Sequence, residues 1–219
     1  MSGEALASLF HADLVEPGMP EPSFNVKPTQ SIPVIVGTRP ERRVAPARWS
    51  LVPPWSDDLK LKFPTFNARI ETAAAKPTFK ASVKSKRCLV PFDGYYEWLT
   101  EGTQKTPYYV HRIDQQPLLL AGLYSWWRSP TTEEWHLTAT ILTRESAGQL
   151  APLHDRMPVL LHPDLIDDWL NKEIPGDEGL LAAASDSGLV SVPELRIDEV
   201  APLRGDGPEL IESLGLFQP

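Results

Sequence analysis

The sequence predicts a fold that is rich in short strands and contains a few helices, and three observations support this prediction. Of the 219 residues, 23 are proline, which favours irregular connections over long helices. Short runs of aromatic and β-branched residues, typical of strands, recur along the chain, as at residues 32–36 and 135–142. Apolar residues at helical spacing are confined to a few segments. A chain of this length can form one or two domains.

The individual elements follow from the same patterns. Leu6 and Phe10 lie one helical turn apart, which predicts a short amphipathic helix over residues 3–13. Further helical segments are predicted at residues 72–85 (one helix, or two helical turns around Pro77), 146–150, 163–170 and 180–185. Extended segments are predicted at residues 24–30, 32–36, 48–53, 66–71, 88–92, 95–99, 108–113, 118–124, 135–142, 159–161 and 194–200. The segments 108–113 and 118–124 are expected to pair as a hairpin.

Residues 88–98 are the most informative stretch of the chain. Their apolar first half predicts a buried strand, and residues 93–94 predict a turn. Strand side chains alternate, so Tyr95, Glu97 and Leu99 are predicted on one face. A carboxyl group buried among aromatic side chains has a raised pKa, which suits proton transfer near neutral pH. The alternative is an edge-strand glutamate whose carboxylate lies in water.

The charge of the chain is unevenly distributed. A formal net charge of −8 argues against a generic nucleic-acid binder. Residues 60–87, however, contain eight basic side chains and one acid, whereas residues 164–212 contain thirteen acids and three basic side chains. Two interpretations stay open: one positive surface on an acidic protein, or a solvated helix face at residues 73–87.

Several classes of protein are disfavoured by the sequence. No apolar run approaches the roughly 18 residues of a membrane span, no export signal is seen, and a single Cys fits a reducing compartment. We therefore expect a cytoplasmic protein without membrane contact. The five His are scattered, so no metal site is expected, and no phosphate-binding loop or other cofactor motif is present.

His154 stands out because an Asp-Arg pair follows it in a predicted loop before an apolar strand. Alone, it is interpreted as a structural histidine that caps a turn. Together with Glu97, Asn67 and Arg69 it would suffice as an acid–base and oxyanion set, provided that the fold brings these residues together.

Five motifs occur in order along the chain. They are Asn25-Val26-Lys27-Pro28-Thr29-Gln30, Arg48-Trp49-Ser50-Leu51-Val52-Pro53, Asn67-Ala68-Arg69-Ile70-Glu71-Thr72, Arg87-Cys88-Leu89-Val90-Pro91-Phe92-Asp93-Gly94-Tyr95-Tyr96-Glu97-Trp98 and His154-Asp155-Arg156-Met157-Pro158. This set resembles the SOS-response-associated peptidase (SRAP) family. The resemblance implies a single α+β domain over residues 1–219, with a coiled, barrel-like mixed β-sheet surrounded by helices. It also implies a protein that recognises abasic sites in single-stranded DNA and crosslinks to them.

The resemblance further implies roles for individual residues. Glu97 matches the family's proton-shuttling glutamate, His154 the histidine that assists Schiff-base formation, and Asn67 the asparagine that orients the reacting groups. The positions expected to contact DNA are Arg69, Arg156, Trp55, Asn25 and Trp49. Guanidinium groups suit phosphate oxygens, and tryptophan stacks on bases, although Trp49 is also expected in the core.

The sequence departs from the family at its N-terminus. The family begins with Met-Cys-Gly-Arg, and the amine and thiol of that Cys form a thiazolidine ring with the sugar aldehyde. Here Ser2 follows Met1, so we expect that the family's first strand, with its Cys, is missing. Cys88 is not expected to replace it, because it sits in an apolar run and has no α-amine.

The sequence thus predicts a monomeric abasic-site processing protein whose partner is single-stranded DNA, and it leaves a peptidase-type, autoproteolytic activity open. Without the N-terminal thiol, we expect DNA binding but no stable adduct. One alternative is a module that binds single-stranded DNA or modified bases without covalent chemistry. Another is a peptidase that only removes the initiator Met.

Overall fold

Twelve strands and five short helices build the fold, which a computed structural model describes for residues 1–218. The helices are α1 (Gly3–Phe10), α2 (Ile70–Ala73), α3 (Pro77–Ser85), α4 (Ile166–Leu170) and α5 (Glu178–Ser187). The strands are β1 (Leu14–Val15), β2 (Ser31–Val36), β3 (Arg43–Trp49), β4 (Asn67–Arg69), β5 (Arg87–Phe92), β6 (Gly94–Glu101), β7 (Gln104–Arg112), β8 (Leu118–Arg128), β9 (Trp135–Glu145), β10 (Arg156–Pro158), β11 (Leu195–Glu199) and β12 (Gly215–Leu216).

Five of these strands close into a barrel. Their order around the ring is β3-β2-β5-β8-β9, and β9 pairs again with β3. Neighbours are antiparallel, except that β3 and β9 run parallel where Arg48 lies beside Thr138 and Trp49 beside Ala139. The short strands β1, β4 and β10 extend this sheet. The protein is thus a single α+β domain with a barrel-like mixed sheet, which confirms the predicted fold class.

The barrel strands bury both of their faces, because successive side chains point to opposite sides. In β2, Val34 packs in an inner cluster shared with the smaller sheet, whereas Ile35 packs in an outer cluster with the helices. Val90 and Leu89 of β5 divide in the same way. The outer cluster contains the fully buried Trp169 of α4. Because both faces are buried, the sequences of these strands are nearly continuous apolar runs.

A second, four-stranded sheet has the strand order β12-β11-β7-β6 and packs against the inner cluster. The chain enters it at Gly94, directly after β5. A Cβ atom at this position would lie 2.4 Å from the ring of Tyr109, so only glycine fits the bend. The edge strand β6 carries Glu97.

The predicted hairpin between residues 108–113 and 118–124 is wrong. Strand β7 pairs with β6 and β11, whereas β8 pairs with β5 and β9. The tight turn between β6 and β7 begins at Gly102, whose φ is +60°. A two-residue turn with positive φ matches the twist of paired strands, so β7 pairs with β6 and the next connection leads into the barrel.

One junction of the barrel is open over most of its length. Strands β2 and β5 share one residue pair, Ile35 with Leu89, whereas β2 and β3 share six. Continuing that antiparallel register places Pro33 opposite Pro91, and neither has an N–H to donate. A cavity of about 370 Å³ lies at this opening, lined in part by Pro33, Pro91 and Asp93. The prolines explain why the ladder opens here.

Two strand predictions are corrected around β3 and β4. Of the predicted strand 48–53, only the first two residues belong to β3. Val52 donates its N–H to the Thr138 side chain at 2.9 Å instead of to a strand, and prolines without N–H follow it. The extended prediction for residues 66–71 holds for β4 only, because the chain turns helical at Ile70.

The strand predicted at residues 159–161 lies three residues earlier, as β10. Residues 159–161 keep one isolated bridge, between Leu160 and Leu120. Val159 donates its N–H to Leu142, and Leu161 to Leu119, so their backbone bonds go to two different strands. These apolar residues are buried between β8 and β9 without forming a regular ladder of their own.

Proline also decides the helical region after β4. Pro77 is the first residue of α3, a position where its missing N–H costs nothing. Residues 72–85 therefore form two helical pieces around Pro77, the second of the predicted alternatives.

The other predicted helical segments are confirmed. They are α1, the 3₁₀ turn Gly148–Leu150, α4 with the 3₁₀ turn before it, and α5. Within residues 1–218, no helix is long and apolar enough to cross a membrane.

Candidate active site and nucleic-acid interface

Glu97 points from an edge strand toward the inner cluster. Its neighbours two positions away, Tyr95 and Leu99, pack against that cluster, and alternation turns the Glu97 side chain the same way. The side chain of Glu97 is only 23% exposed, although β6 lies at the edge of its sheet. The face predicted from the sequence is therefore confirmed, and the carboxylate does not lie in open water.

The pKa of the Glu97 carboxyl is raised, mainly because burial disfavours its ionised form. The N–H of Trp98 donates to Oε1 at 3.1 Å and lowers the pKa, as does His154, while Asp155 raises it. Burial is the largest of these influences, so the predicted direction is confirmed. A carboxyl group that keeps its proton closer to neutral pH can act as a general acid.

His154 lies beside Glu97, with 3.8 Å between its Nδ1 atom and Glu97 Oε2. The same Nδ1 lies 3.0 Å from the backbone nitrogen of Arg156 and 3.1 Å from its carbonyl oxygen. The first contact needs Nδ1 as acceptor and the second needs it as donor, so either ring tautomer can bond to the Arg156 backbone. His154 therefore caps a turn, as its simpler interpretation predicts, and it also lies next to Glu97.

Asn67 and Arg69 are exposed residues of β4, on either side of the buried Ala68. Strand β4 runs parallel to β9 and places Arg69 beside Thr143, and β10 places Pro158 beside the same Thr143 from the other edge. The Asn67 motif and the His154 motif thus flank the end of β9. The convergence of Asn67 with the Glu97–His154 pair stays a prediction.

Arg156 is held by a partner that the sequence did not reveal. Its guanidinium donates to both carboxylate oxygens of Glu71, at 2.9 Å each, and to the Thr143 carbonyl at 2.7 Å. Hydrogen bonds from Arg156 lower the pKa of the Glu71 carboxyl, with burial acting in the opposite direction. Strand alternation had placed Glu71 on the face of Arg69, but the helical turn at Ile70 redirects it.

The other predicted DNA contacts differ in their surroundings. Trp55 is 65% exposed, as a stacking platform requires. Trp49 is half-buried: its indole N–H donates to the Phe66 carbonyl at 2.8 Å, and its ring packs on Phe66 and Phe92, which confirms the expected core position. The side-chain amide of Asn25 donates to the Gly205 carbonyl at 2.9 Å.

The basic stretch 60–87 is divided between interior and surface. Arg87 is buried, and its guanidinium donates to five backbone carbonyls, those of Val83, Lys84, Trp169, Asn171 and Ile174. It therefore satisfies all its donors inside the protein. Lys76, Lys80 and Lys84 are exposed at four-residue spacing, which puts them on one face of α3. The stretch is thus both a solvated helix face and a positive one.

The structure also bears on the single Cys and on the possibility of a metal-binding group. Cys88 is fully buried, and burial raises the pKa of its thiol, so it is not a reactive thiolate. Among residues 1–218, no group of three or more His, Cys, Asp or Glu side chains is arranged to hold a metal ion.

The family of the protein follows from a match to a family model. The model described as "SOS response associated peptidase (SRAP)" matches residues 1–200. The chain belongs to the SRAP family, as its motifs predict.

Curated relatives of the chain share one description. The chain is 34% identical over 204 residues to "Abasic site processing protein YoqW" of Bacillus subtilis, and the match covers 88% of this chain and 86% of that protein. Identity to "Abasic site processing protein YedK" of Escherichia coli is 33% over 169 residues, covering 76% and 73%. Identity to "Abasic site processing protein HMCES" of Xenopus tropicalis is 32% over 191 residues, covering 73% and 57%.

Crystal structures of two bacterial proteins share the fold. One from Bordetella bronchiseptica has a TM-score of 0.75 and 26% identity, covering 92% of this chain and 96% of its own. One from Bacteroides thetaiotaomicron has a TM-score of 0.73 and 25% identity, covering 84% and 82%. The chain therefore shares its overall fold with these two proteins.

Proposed function

We propose that this protein recognises abasic sites in single-stranded DNA and reacts with the aldehyde of the sugar. One observation carries the proposal: a carboxyl group of raised pKa, Glu97, lies 3.8 Å from His154. It does so in a family whose curated relatives are named abasic site processing proteins. Addition of an amine to an aldehyde requires proton transfer when the amine adds and again when water leaves.

Glu97 and His154 divide this proton transfer in the proposed mechanism. An amine of the protein adds to the aldehyde, and one of its protons passes to the aldehyde oxygen. Glu97 donates a proton to the resulting hydroxyl, so that water leaves, and its carboxylate takes the remaining proton from the nitrogen as the imine forms. His154 donates a ring proton to a sugar oxygen and assists ring opening. In the complete family motif, the thiol of the N-terminal Cys then adds to the imine carbon and its proton passes to the nitrogen, which closes a thiazolidine.

Three exposed side chains are proposed to hold the DNA. Arg69 binds a phosphate, because a guanidinium forms paired hydrogen bonds with phosphate oxygens. Trp55 stacks on a base without reading its identity, and Asn67 orients the sugar. Arg156, Asn25 and Trp49 have polar groups that already donate to other groups of the protein, so in this proposal they contact DNA only at the margins of their side chains.

The proposal includes a single-stranded substrate, a monomeric protein and a cytoplasmic location. Competition between single-stranded and duplex oligonucleotides tests the first. Size-exclusion chromatography with light scattering tests the second, and cell fractionation tests the third.

The decisive experiment is a denaturing gel with an oligonucleotide that carries one abasic site. Without the N-terminal thiol, the chain should give an adduct only when borohydride reduces the imine. A variant with Met-Cys-Gly-Arg placed ahead of Ser2 should give a stable adduct without reductant. The matched control is the same variant with Met-Ser-Gly-Arg, which keeps the added length and removes the sulfur.

Each other outcome points to a different function. Binding of the oligonucleotide without any adduct, even after borohydride and with the added Cys, would replace the proposal with a non-covalent DNA-binding module. A stable adduct from the chain that begins at Met1 would show that a different nucleophile acts. Cleavage of an unrelated peptide would favour a general peptidase, whereas loss of only the initiator Met would restrict that activity to self-processing.

A further inference from the structure

A chain of contacts connects Glu71 with His154 through Arg156. Both carboxylate oxygens of Glu71 accept hydrogen bonds from the guanidinium of Arg156, and the Thr143 carbonyl accepts a third. The Arg156 side chain is therefore held at two points, by α2 and by the end of β9. We call this set of contacts the Glu71–Arg156 strut.

The backbone of the same arginine holds His154. Nδ1 of His154 lies 3.0 Å from the backbone nitrogen of Arg156 and 3.1 Å from its carbonyl oxygen. One residue separates the two, and its carbonyl accepts the N–H of Ser146 at 3.0 Å. A rotation of the Arg156 backbone would move both groups away from Nδ1, and the strut opposes that rotation because it fixes the other end of the residue.

We propose that Glu71 is a positioning residue of the site. It acts through Arg156 to hold the His154 ring with Nδ1 between the Arg156 backbone and Glu97. Outer residues that orient a histidine through hydrogen bonds support its function. The inference rests on the proposed function, since it gives the orientation of His154 a role in the reaction.

A purely structural ion pair is the competing explanation. The Glu71 side chain is 48% exposed, and ion pairs this close to solvent contribute little to stability. Glu194 offers a matched comparison, because it is 55% exposed and pairs with Arg112 at 3.0 Å. Its partner lies on β7 rather than in the His154 turn. A structural role predicts similar small effects at Glu71 and Glu194, whereas a positioning role predicts an effect on His154 from Glu71 alone.

The first test is the ¹⁵N NMR spectrum of the His154 ring in the full chain without DNA. The wild-type protein should show one sharp set of His154 ring signals. Glu71→Gln keeps the size of the side chain and removes its charge, so it should shift and broaden these signals as the ring loses its fixed orientation, and Glu71→Asp, which keeps the charge, should lie between the two. Glu194→Gln should leave the His154 signals unchanged. Identical His154 signals in Glu71→Gln and wild type would overturn the proposal.

The second test separates binding from reaction. The initial rate of the borohydride-trapped adduct should fall about 10-fold in Glu71→Gln, less than the roughly 10²–10⁴-fold contribution of a group that transfers the proton. Affinity for the same oligonucleotide with an intact base should not change. Equal losses of rate and affinity would instead assign the Glu71–Arg156 pair to DNA contact and overturn the positioning role. If the wild type forms no adduct, the proposed function fails, and the ¹⁵N spectra still decide whether Glu71 positions His154.

Discussion

Two glutamates flank the turn that carries His154, and the pKa values of their carboxyl groups move in opposite directions. Glu97 on β6 is mostly buried and receives one backbone hydrogen bond, from Trp98, so burial dominates and its pKa rises. Glu71 on α2 is half-exposed and receives two hydrogen bonds from Arg156, so its pKa falls. The same side chain is thus suited to proton transfer in one place and to a fixed negative charge in the other.

Burial raises the pKa of both carboxyl groups, and only at Glu71 does a guanidinium partner outweigh it. A guanidinium that donates to both oxygens stabilises the charged form directly. An imidazole at 3.8 Å also lowers the pKa of Glu97, but by less than burial raises it. Four predictions test this comparison between Glu97 and Glu71.

The largest effect is expected from Glu97→Gln in the variant that carries the added Met-Cys-Gly-Arg. The amide cannot donate or accept the proton that the carboxyl group exchanges, so formation and reversal of the adduct should both slow by roughly 10²–10⁴-fold. Time courses on denaturing gels measure both. Glu101→Gln, an exposed position on the same strand, is the control and should react at the wild-type rate. A Glu97→Gln protein that reacts as fast as this control would remove Glu97 from the chemistry.

A smaller effect is expected from His154→Ala. Glu97 stays in place, so imine formation should slow by about 10–100-fold, at the low end for an acid–base group, while reversal of a completed adduct should change less. His154 lowers the pKa of Glu97, so its removal should raise that pKa further. Carboxyl ¹³C chemical shifts of Glu97, followed as a function of pH, check this direction. An unchanged titration of Glu97 would show that the two residues do not interact at 3.8 Å.

The third prediction concerns stability as a function of pH, where the two glutamates act with opposite signs. The raised pKa of Glu97 means that its contribution is fully present below the unfolded-state pKa and is lost as pH rises through the folded-state pKa. The lowered pKa of Glu71 means that its contribution is present above the unfolded-state pKa and is lost as pH falls through the folded-state pKa.

Urea denaturation between acidic and neutral pH measures both contributions. Relative to wild type, Glu97→Gln should become more stable as pH rises, and Glu71→Gln should lose less stability as pH falls. Curves that shift in parallel at all pH values would contradict the opposite pKa shifts of the two groups.

The strand face of Glu97 could be predicted from the sequence, whereas the partner of Glu71 could not. Strand alternation has a period of two, so Tyr95, Glu97 and Leu99 could be assigned to one face without knowing the fold. The partner of Glu71 could not be found in this way, because a strand pattern continues through residues 66–71 while the chain turns helical at Ile70. Contact between Glu97 and His154 needs the barrel, and only the family resemblance anticipated it.

The positions of the charged side chains and the pairing of the strands were harder to predict for a related reason. A count of basic residues treats Arg87 as part of the surface, yet five backbone carbonyls hold it in the interior. Likewise, residues 108–113 and 118–124 are neighbours in sequence but belong to different sheets. Local patterns give the elements and their buried faces, while the partners depend on which distant segments meet.

The smallest effect is expected from Arg69→Ala, which changes a cation close to the strut without touching either glutamate's partner. Arg69 is exposed at the end of β4, two residues before Glu71. If it binds one phosphate, its loss should weaken binding to all single-stranded sequences alike and reduce the slope of log affinity against log salt by about 1. Fluorescence anisotropy at several salt concentrations measures this slope.

Lys172→Ala changes a basic residue in the acidic part of the chain, so it serves as the control and should keep the wild-type slope. The pKa values of Glu97 and Glu71 should stay as they are, because Arg69 is not among the groups that shift them. An Arg69→Ala protein with the wild-type salt slope but an altered titration of Glu71 would mean that Arg69 belongs to the strut and not to the DNA interface.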